Sequence, residues 1–255
     1  MTVLALTSAS GSPGVTTTAL GLAFSWPRPV LLVEADPTGG SGILAGYFRG
    51  SREYDAGLIE LALSPLDVLD ALPDVARPIE GSTVSFITGA RSHSQARGLR
   101  ELWEPLSDAL TQLESTGQDV IVDGGRLGLL GCPEPLLESA DLTLLVTRTS
   151  LPALAAARSW ADAVRRPEAG WRRPGVLMVG EGQPYRAREV TKVLGLPVVV
   201  RLPDDPQAAG VYHRGATPPR RFESGNYTRA LRAGVESVQA IVTRSRLELT
   251  PEVAR

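Results

Sequence analysis

The sequence predicts a single α/β domain in which a mostly parallel, twisted sheet of about seven or eight strands carries helices on both faces. Three observations predict it. Short apolar runs alternate with longer segments of helical periodicity from one end of the chain to the other. Those runs lack the strict apolar/polar alternation of a strand with one wet face, so helices must cover both sides. Two of them lead into an aspartate followed by Pro or Gly, as at the carboxyl edge of an open parallel sheet, where ligands are gathered.

The first strand is expected at Thr2 to Leu6 and the second at Val30 to Val33, separated by a helix over Thr17 to Phe24 that Pro27 and Pro29 close. Val84 to Ile87 reads as a third strand. Helical spacing then covers Ala96 to Glu114 and stops at Gly117, ahead of a strand at Asp119 to Val122. Strands at Leu142 to Thr147, Gly175 to Val179 and Val198 to Leu202 alternate with helices at Leu151 to Val164 and Ala187 to Leu194, and Pro174 and Pro197 punctuate the approach to the last two strands. The Pro-, Arg- and Gly-rich stretch Arg214 to Gly225 reads as a loop before a last helix at Tyr227 to Leu247. No repeat, heptad or low-complexity linker divides the chain, so one domain is set at residues 1–247, with a C-terminal tail at 248–255.

Composition narrows the class. Of 255 residues, 43% are hydrophobic and 21% charged, enough apolar surface for a core and too much for disorder. A net charge of -2 gives no global attraction to nucleic acid or anionic lipid. The single cysteine, Cys132, excludes an intramolecular disulfide and reads as a small buried apolar residue in a reducing compartment. Met1 to Leu6 lacks a basic leader, and no apolar run approaches the ~20 residues of a membrane span, so a cytoplasmic location without an integral membrane segment is expected. His93 and His213 lack nearby ligand spacing for zinc, and Ser92-His93-Ser94 reads as a polar loop near the site.

The informative segment follows the first strand: Ser10-Gly11-Ser12-Pro13-Gly14-Val15-Thr16-Thr17-Thr18, then the helical run from Ala19. A strand, a Gly-rich turn and a Thr-rich helix start point backbone N–H groups and the positive helix end at an anion. Asp36 and Asp123, just past two buried strands, should converge on that loop.

On these residues the chain resembles the MinD/ParA family of deviant phosphate-loop ATPases, over most of its length. The family loop reads Lys-Gly-Gly-x-Gly-Lys-Thr-Thr and falls on Ser10 to Thr17; its Asp-x-Asp-Pro segment matches Glu34-Ala35-Asp36-Pro37, and its apolar strand ending in Asp matches the one ending at Asp123. Ser139 to Val146 is similar to the family's next strand, and Gly195 to Asp205 to the part beside the adenine. The resemblance implies a P-loop NTPase fold and, for a working site, ATP or ADP with Mg²⁺. Gly11, Ser12, Pro13, Gly14, Val15, Thr16 and Thr17 would then cradle phosphates, and Pro203 and Asp204 would flank the base. Thr16, Asp36 and Asp123 would serve the metal, with Asp36 orienting an attacking water as the catalytic candidate.

The departures carry as much weight. Ser10 and Val15 occupy both lysine positions, and the only lysine in the chain, Lys192, sits on a predicted surface helix. Pro13 removes one backbone donor, and Val176 to Glu181 lacks the family's adenine-reading asparagine. One lost charge-assisted hydrogen bond costs about 1.5 to 3 kcal/mol, roughly 10- to 150-fold in affinity. A lost donor to the transferring group costs on the order of 100- to 1000-fold in rate. The alternative is an active ATPase in which an arginine of this chain or of a partner replaces the lysines, but Arg28, Arg126 and Arg148 all lie outside the loop. The expectation is therefore a weak or inactive ATPase, with either ATP/ADP and Mg²⁺ or no cofactor.

The resemblance further implies a spatial regulator or assembly scaffold, a homodimer with protein partners in a pilus, secretion or partitioning machine, nearest to the TadZ and CpaE positioning proteins of Tad-type systems, and recruited to membrane or pole by those partners. DNA is a less favoured partner: Arg214, Arg220, Arg221, Arg229, Arg232, Arg244 and Arg246 are interrupted by Glu223, Glu236 and Glu248, as on a solvated helix face. A membrane-binding tail is disfavoured by Pro251 and the two glutamates within Ser245 to Arg255.

Overall fold

The computed structural model describes residues 1–113, 117–166 and 170–249. Eight strands form one sheet: β1 (Val3–Ser8), β2 (Val30–Glu34), β3 (Arg77–Pro78), β4 (Val84–Ile87), β5 (Asp119–Arg126), β6 (Leu142–Arg148), β7 (Pro174–Val179) and β8 (Val198–Leu202). Their spatial order is β3-β4-β2-β5-β1-β6-β7-β8. All pairings are parallel except that of the two-residue edge strand β3 with β4.

Two cores explain why the strands read as unbroken apolar runs. Leu4 and Leu6 of β1, Leu32 of β2 and Ile121 of β5 face one side, where they meet Leu20 and Leu22 of α1 (Val15–Ser25) and Leu231 and Val238 of α10 (Asn226–Leu249). Val3, Ala5, Leu31, Val33, Val120 and Val122 face the other, against Trp103 and Leu106 of α5 (Trp103–Gln112) and Leu154 of α7 (Leu151–Val164). The side-chain period of two is intact, with both phases apolar.

The strands expected from sequence are all present, and β3 is added. The expected helix over Ala96 to Glu114 is broken: α4 (His93–Gly98) gives way to a 3₁₀ turn at Leu99–Leu102 before α5 begins. Gly98 weakens the join, and Pro105, which lacks an N–H, is accommodated within the first turn of α5. Glu114 lies outside the described residues. Four helices escaped the periodicity reading: α2 (Leu58–Ala62), α3 (Val68–Val75), α6 (Glu134–Ser139) and α9 (Pro206–Arg214). Each is too short to establish a repeat of 3.6. Arg214 accordingly ends α9 and does not begin a loop, and Phe222–Ser224 forms a 3₁₀ turn. The helix α8 spans Ala187–Leu194 as expected, and α10 runs through the 247/248 boundary to Leu249; the remainder of the expected tail, 250–255, lies outside the described residues.

At the amino edge of the sheet a fully buried carboxylate fastens three segments. Asp119 Oδ2 accepts from Trp26 Nε1 at 2.6 Å and from Arg28 Nε at 2.9 Å, and Oδ1 accepts from Arg28 Nη2 at 2.7 Å and from the Thr2 backbone N–H. Arg28 is thereby committed to the end of the molecule opposite the phosphate loop, leaving the carboxyl edge to position the site.

Candidate phosphate-loop site

Between β1 and α1 the chain turns through three left-handed residues, Gly11 (φ 72), Ser12 (φ 46) and Gly14 (φ 99). Gly14 is the residue before the first turn of α1, and a Cβ there would meet only Thr17 at 3.7 Å, so glycine is required for conformation and not for space. The first turn of α1 carries no acidic residue and its start has no side-chain cap. The leading N–H groups of the helix therefore face the cleft without an intrahelical acceptor, the arrangement that holds an anion. Val15 is 7% exposed and belongs to the same apolar cluster as Ile43 and Val211, while Pro13 is also buried.

Three carboxylates gather behind the loop. Glu34 and Asp123 are register partners on β2 and β5, with the Ala35 N–H donating to the Asp123 carbonyl at 2.8 Å. Asp36 approaches the Gly125 backbone so closely that a Cβ at that left-handed glycine would lie 2.2 Å from its Cγ. The Gly125 N–H in turn donates to Asp123 Oδ1 at 3.1 Å. Asp36 and Asp123 are thus held on the same side of the sheet through one glycine. Asp36 Oδ1 accepts from the Thr38 N–H and hydroxyl at 2.9 and 2.8 Å. A Cβ at Gly42 would lie 3.1 Å from Thr16 Cγ2 and 3.6 Å from Glu34 Oε1, which places Thr16 beside the same group.

The electrostatics are those of carboxylates crowded together in a buried place. Asp123 is fully buried and its carboxyl is pushed up to about 7, first by burial and then by the charges of Asp36 and Glu34; the facing Thr16 hydroxyl acts in the opposite direction. No well-formed hydrogen bond closes on Asp123 Oδ2. Burial also raises Glu34, against hydrogen bonds from Ser41 and the backbone of Gly89, Ile43 and Gly42; the N–H groups of Ile43 and Gly89 each donate to it at 3.1 Å. Sequence reasoning did not include Glu34 among the site residues; its signal was the first acid of the Glu34-x-Asp36 match.

Among the described residues no group of three His, Cys, Asp or Glu side chains is arranged to hold a bare metal ion. One hydroxyl, Thr16, with Asp36 and the buried, unpartnered Oδ2 of Asp123 suits a hydrated Mg²⁺ that keeps several waters.

These elements border a cleft of about 480 Å³. Of the residues expected at the site, Ser12, Pro13, Gly14, Val15, Thr16, Thr17, Asp36, Pro203 and Asp204 line it; Gly11 does not, and Asp123 lies buried behind. Ser92, His93 and Ser94 do not line it either, since His93 begins α4 and its Nδ1 bonds the Pro37 carbonyl at 2.9 Å, steadying the segment after Asp36. Lys192, on α8, is absent from the lining. What sequence reasoning missed is the cationic wall: Arg126, Arg148 and Arg214 all line the cleft, with His213 beside them. A second cavity of about 430 Å³ shares Pro203 and Asp204 and is bordered by two amides, Gln183, two residues past the Val176 to Glu181 stretch, and Asn226 at the start of α10.

No protein-family model and no curated protein sequence matches the chain. Solved structures do. The cell division ATPase MinD of Pyrococcus furiosus superposes with a TM-score of 0.74 at 17% identity, covering 94% of this chain and 99% of its own. MinD of Pyrococcus horikoshii, complexed with Mg-ADP, gives 0.72 at 18% identity over 93% and 95% of the two chains. A ParA family ATPase from Chlorobium tepidum gives 0.72 at 19% identity over 93% and 97%. The chain has the P-loop NTPase fold seen in MinD and ParA ATPases.

Proposed function

We propose that the chain is a spatial regulator or assembly scaffold of the MinD/ParA type whose phosphate loop retains its shape and has lost most of its chemistry. It binds ATP or ADP with Mg²⁺ weakly, hydrolyses little or none, and acts as a homodimer docked to a positioning, pilus or secretion machine, the Tad type included. One observation carries this reading: the residue in the place of the phosphate-binding lysine, Val15, is packed into the core, and no lysine lines the cleft.

When bound, Mg²⁺ would supply charge neutralisation at the phosphates. The chain's own contribution is positional. Backbone N–H groups of Gly14 to Thr17 orient an anion, the Thr16 hydroxyl and Asp123 face the metal's side of it, and Gln183 and Asn226 offer amides where a base would sit. Asp36 can orient a water only through Oδ2, because Thr38 occupies Oδ1. Calorimetric titration with Mg-ATP and Mg-ADP, joined to a phosphate-release assay, tests the reading; robust Mg²⁺-dependent turnover that Asp36→Ala abolishes would replace it with a working ATPase.

Val15→Lys gives a sharper test. A lysine at this position adds a charge-assisted bond to phosphate, so Mg-ATP affinity should rise by roughly 10- to 150-fold. Loss of the packed valine should lower stability by about 1 to 2 kcal/mol. An affinity unchanged in a folded variant would mean that the loop does not face phosphate. No helix among the described residues is long and apolar enough to cross a membrane, so attachment to a membrane is assigned to partners.

A role in holding DNA has weaker support. Arg232, Arg244 and Arg246 are ion-paired to Glu223, Glu248 and Asp141, and Arg229 donates to Asn226. Much of that basic face is neutralised locally.

A further inference from the structure

We propose that Arg126 and Arg214 supply, from outside the loop, the positive charge the loop lacks, and that the cleft thereby binds a di- or triphosphate group. The inference rests on reading the cleft as a phosphate site and names the groups that make it one.

The placement follows from strand order. β5 and β6 flank β1, and Ser8 at the end of β1 is in register with Arg126 on one side and Val146 on the other. The terminal residues of both strands, Arg126 and Arg148, therefore stand at the carboxyl edge on either side of the strand that feeds the loop. Arg214, the last residue of α9, reaches the same cleft, and Gly210 leaves room along that helix: a Cβ there would lie 3.1 Å from the Arg214 Nε.

The three arginines are not equivalent. Arg148 is bonded to Asp204 at 2.8 Å. Arg126 and Arg214 are exposed, and neither has an acidic partner among the described residues. Two unpaired guanidinium groups thus face one cleft whose other wall is the uncapped start of α1. Each presents a fork of donors that matches two phosphate oxygens. Asp36 and Asp205 border the same space, so a singly charged anion gains little there, whereas a ligand with several negative charges on adjacent phosphates overcomes them.

The test is calorimetric titration of the full chain with Mg-ATP and, separately, with tripolyphosphate, for the wild type, Arg126→Gln, Arg214→Gln and the pair. Arg188→Gln, on α8 and away from the cleft, controls for loss of surface charge, and melting temperatures verify folding. Each cleft variant should weaken both ligands by roughly tenfold or more, the pair further, and Arg188→Gln should bind as wild type. Arg126→Lys, which keeps the charge and loses the fork, should recover part of the loss. Wild type that binds tripolyphosphate but not ATP, with the loss in the variants, upholds the arginine site and removes the nucleotide reading. Wild type that binds ATP while the folded variants bind equally well overturns the arginine site and leaves the nucleotide reading standing. Silence toward both ligands at millimolar concentration overturns both.

Discussion

Asp123→Asn is expected to make the metal-free protein more stable at pH 8 and to leave it nearly unchanged at pH 4. The Asp123 carboxyl is fully buried and raised to about 7, mainly by burial. An aspartate in the unfolded chain releases its proton near pH 4. Between those values the folded state holds a proton that the unfolded state has lost, so stability falls as pH rises through the window and levels off above 7. A gap of about three units is worth about 4 kcal/mol at most, an upper figure because the site can relax. Asparagine removes the ionisation and keeps an acceptor for the Gly125 N–H. Denaturant melts of both proteins at pH 4, 6 and 8 decide it. The slope of the variant should be shallower without vanishing, since raised Glu34 acts in the same direction. A variant no more stable than wild type at pH 8 would show that the buried carboxylate already has a compensating partner.

The second large effect lies at the opposite end of the sheet. Asp119→Ala removes the acceptor shared by Trp26, Arg28 and the Thr2 backbone, leaving buried donors unsatisfied. Breaking a buried ionic network in this way costs about 3 to 5 kcal/mol. Part of the Arg28 share is discounted because its side chain is 44% exposed and its charge can be hydrated. A loss of 2 to 4 kcal/mol, roughly, is therefore expected in urea unfolding. Trp26→Phe, which deletes a donor without stranding the carboxylate, should cost less. Ligand affinity of the folded fraction should be unaffected, since the cleft lies at the other edge. A cost below about 1 kcal/mol for Asp119→Ala would show that the clasp is geometrically present and energetically idle.

What the sequence disclosed was whatever is local. Ser10 to Thr18 carries strand, turn and helix start within a few residues, and Asp36 and Asp123 announce themselves by following apolar strands. Their convergence at the carboxyl edge was expected from the rule for parallel sheets, whereas Gly125 as the residue between them was not. The arginine wall was hidden because it is a product of topology: Arg126 and Arg148 become neighbours of the loop only when β1 is inserted between β5 and β6. Arg214 was misassigned with α9, whose nine residues begin at Pro206 and include Gly210, too little for a periodic signal. Glu34 was passed over because an acid at the end of a buried strand gives no sign that Gly89 and Ile43 will fold back onto it.

Val15 has a mechanical consequence. Val15, packed in the apolar cluster with Ile43 and Val211, and the buried Pro13 anchor the curve of the loop from beneath. The backbone of residues 14 to 17 should consequently keep its course when phosphate binds, with added protection from deuterium exchange confined to the amides that donate to the ligand, and any message this molecule passes on would be written in the surfaces around the loop, with the loop itself a fixed abutment.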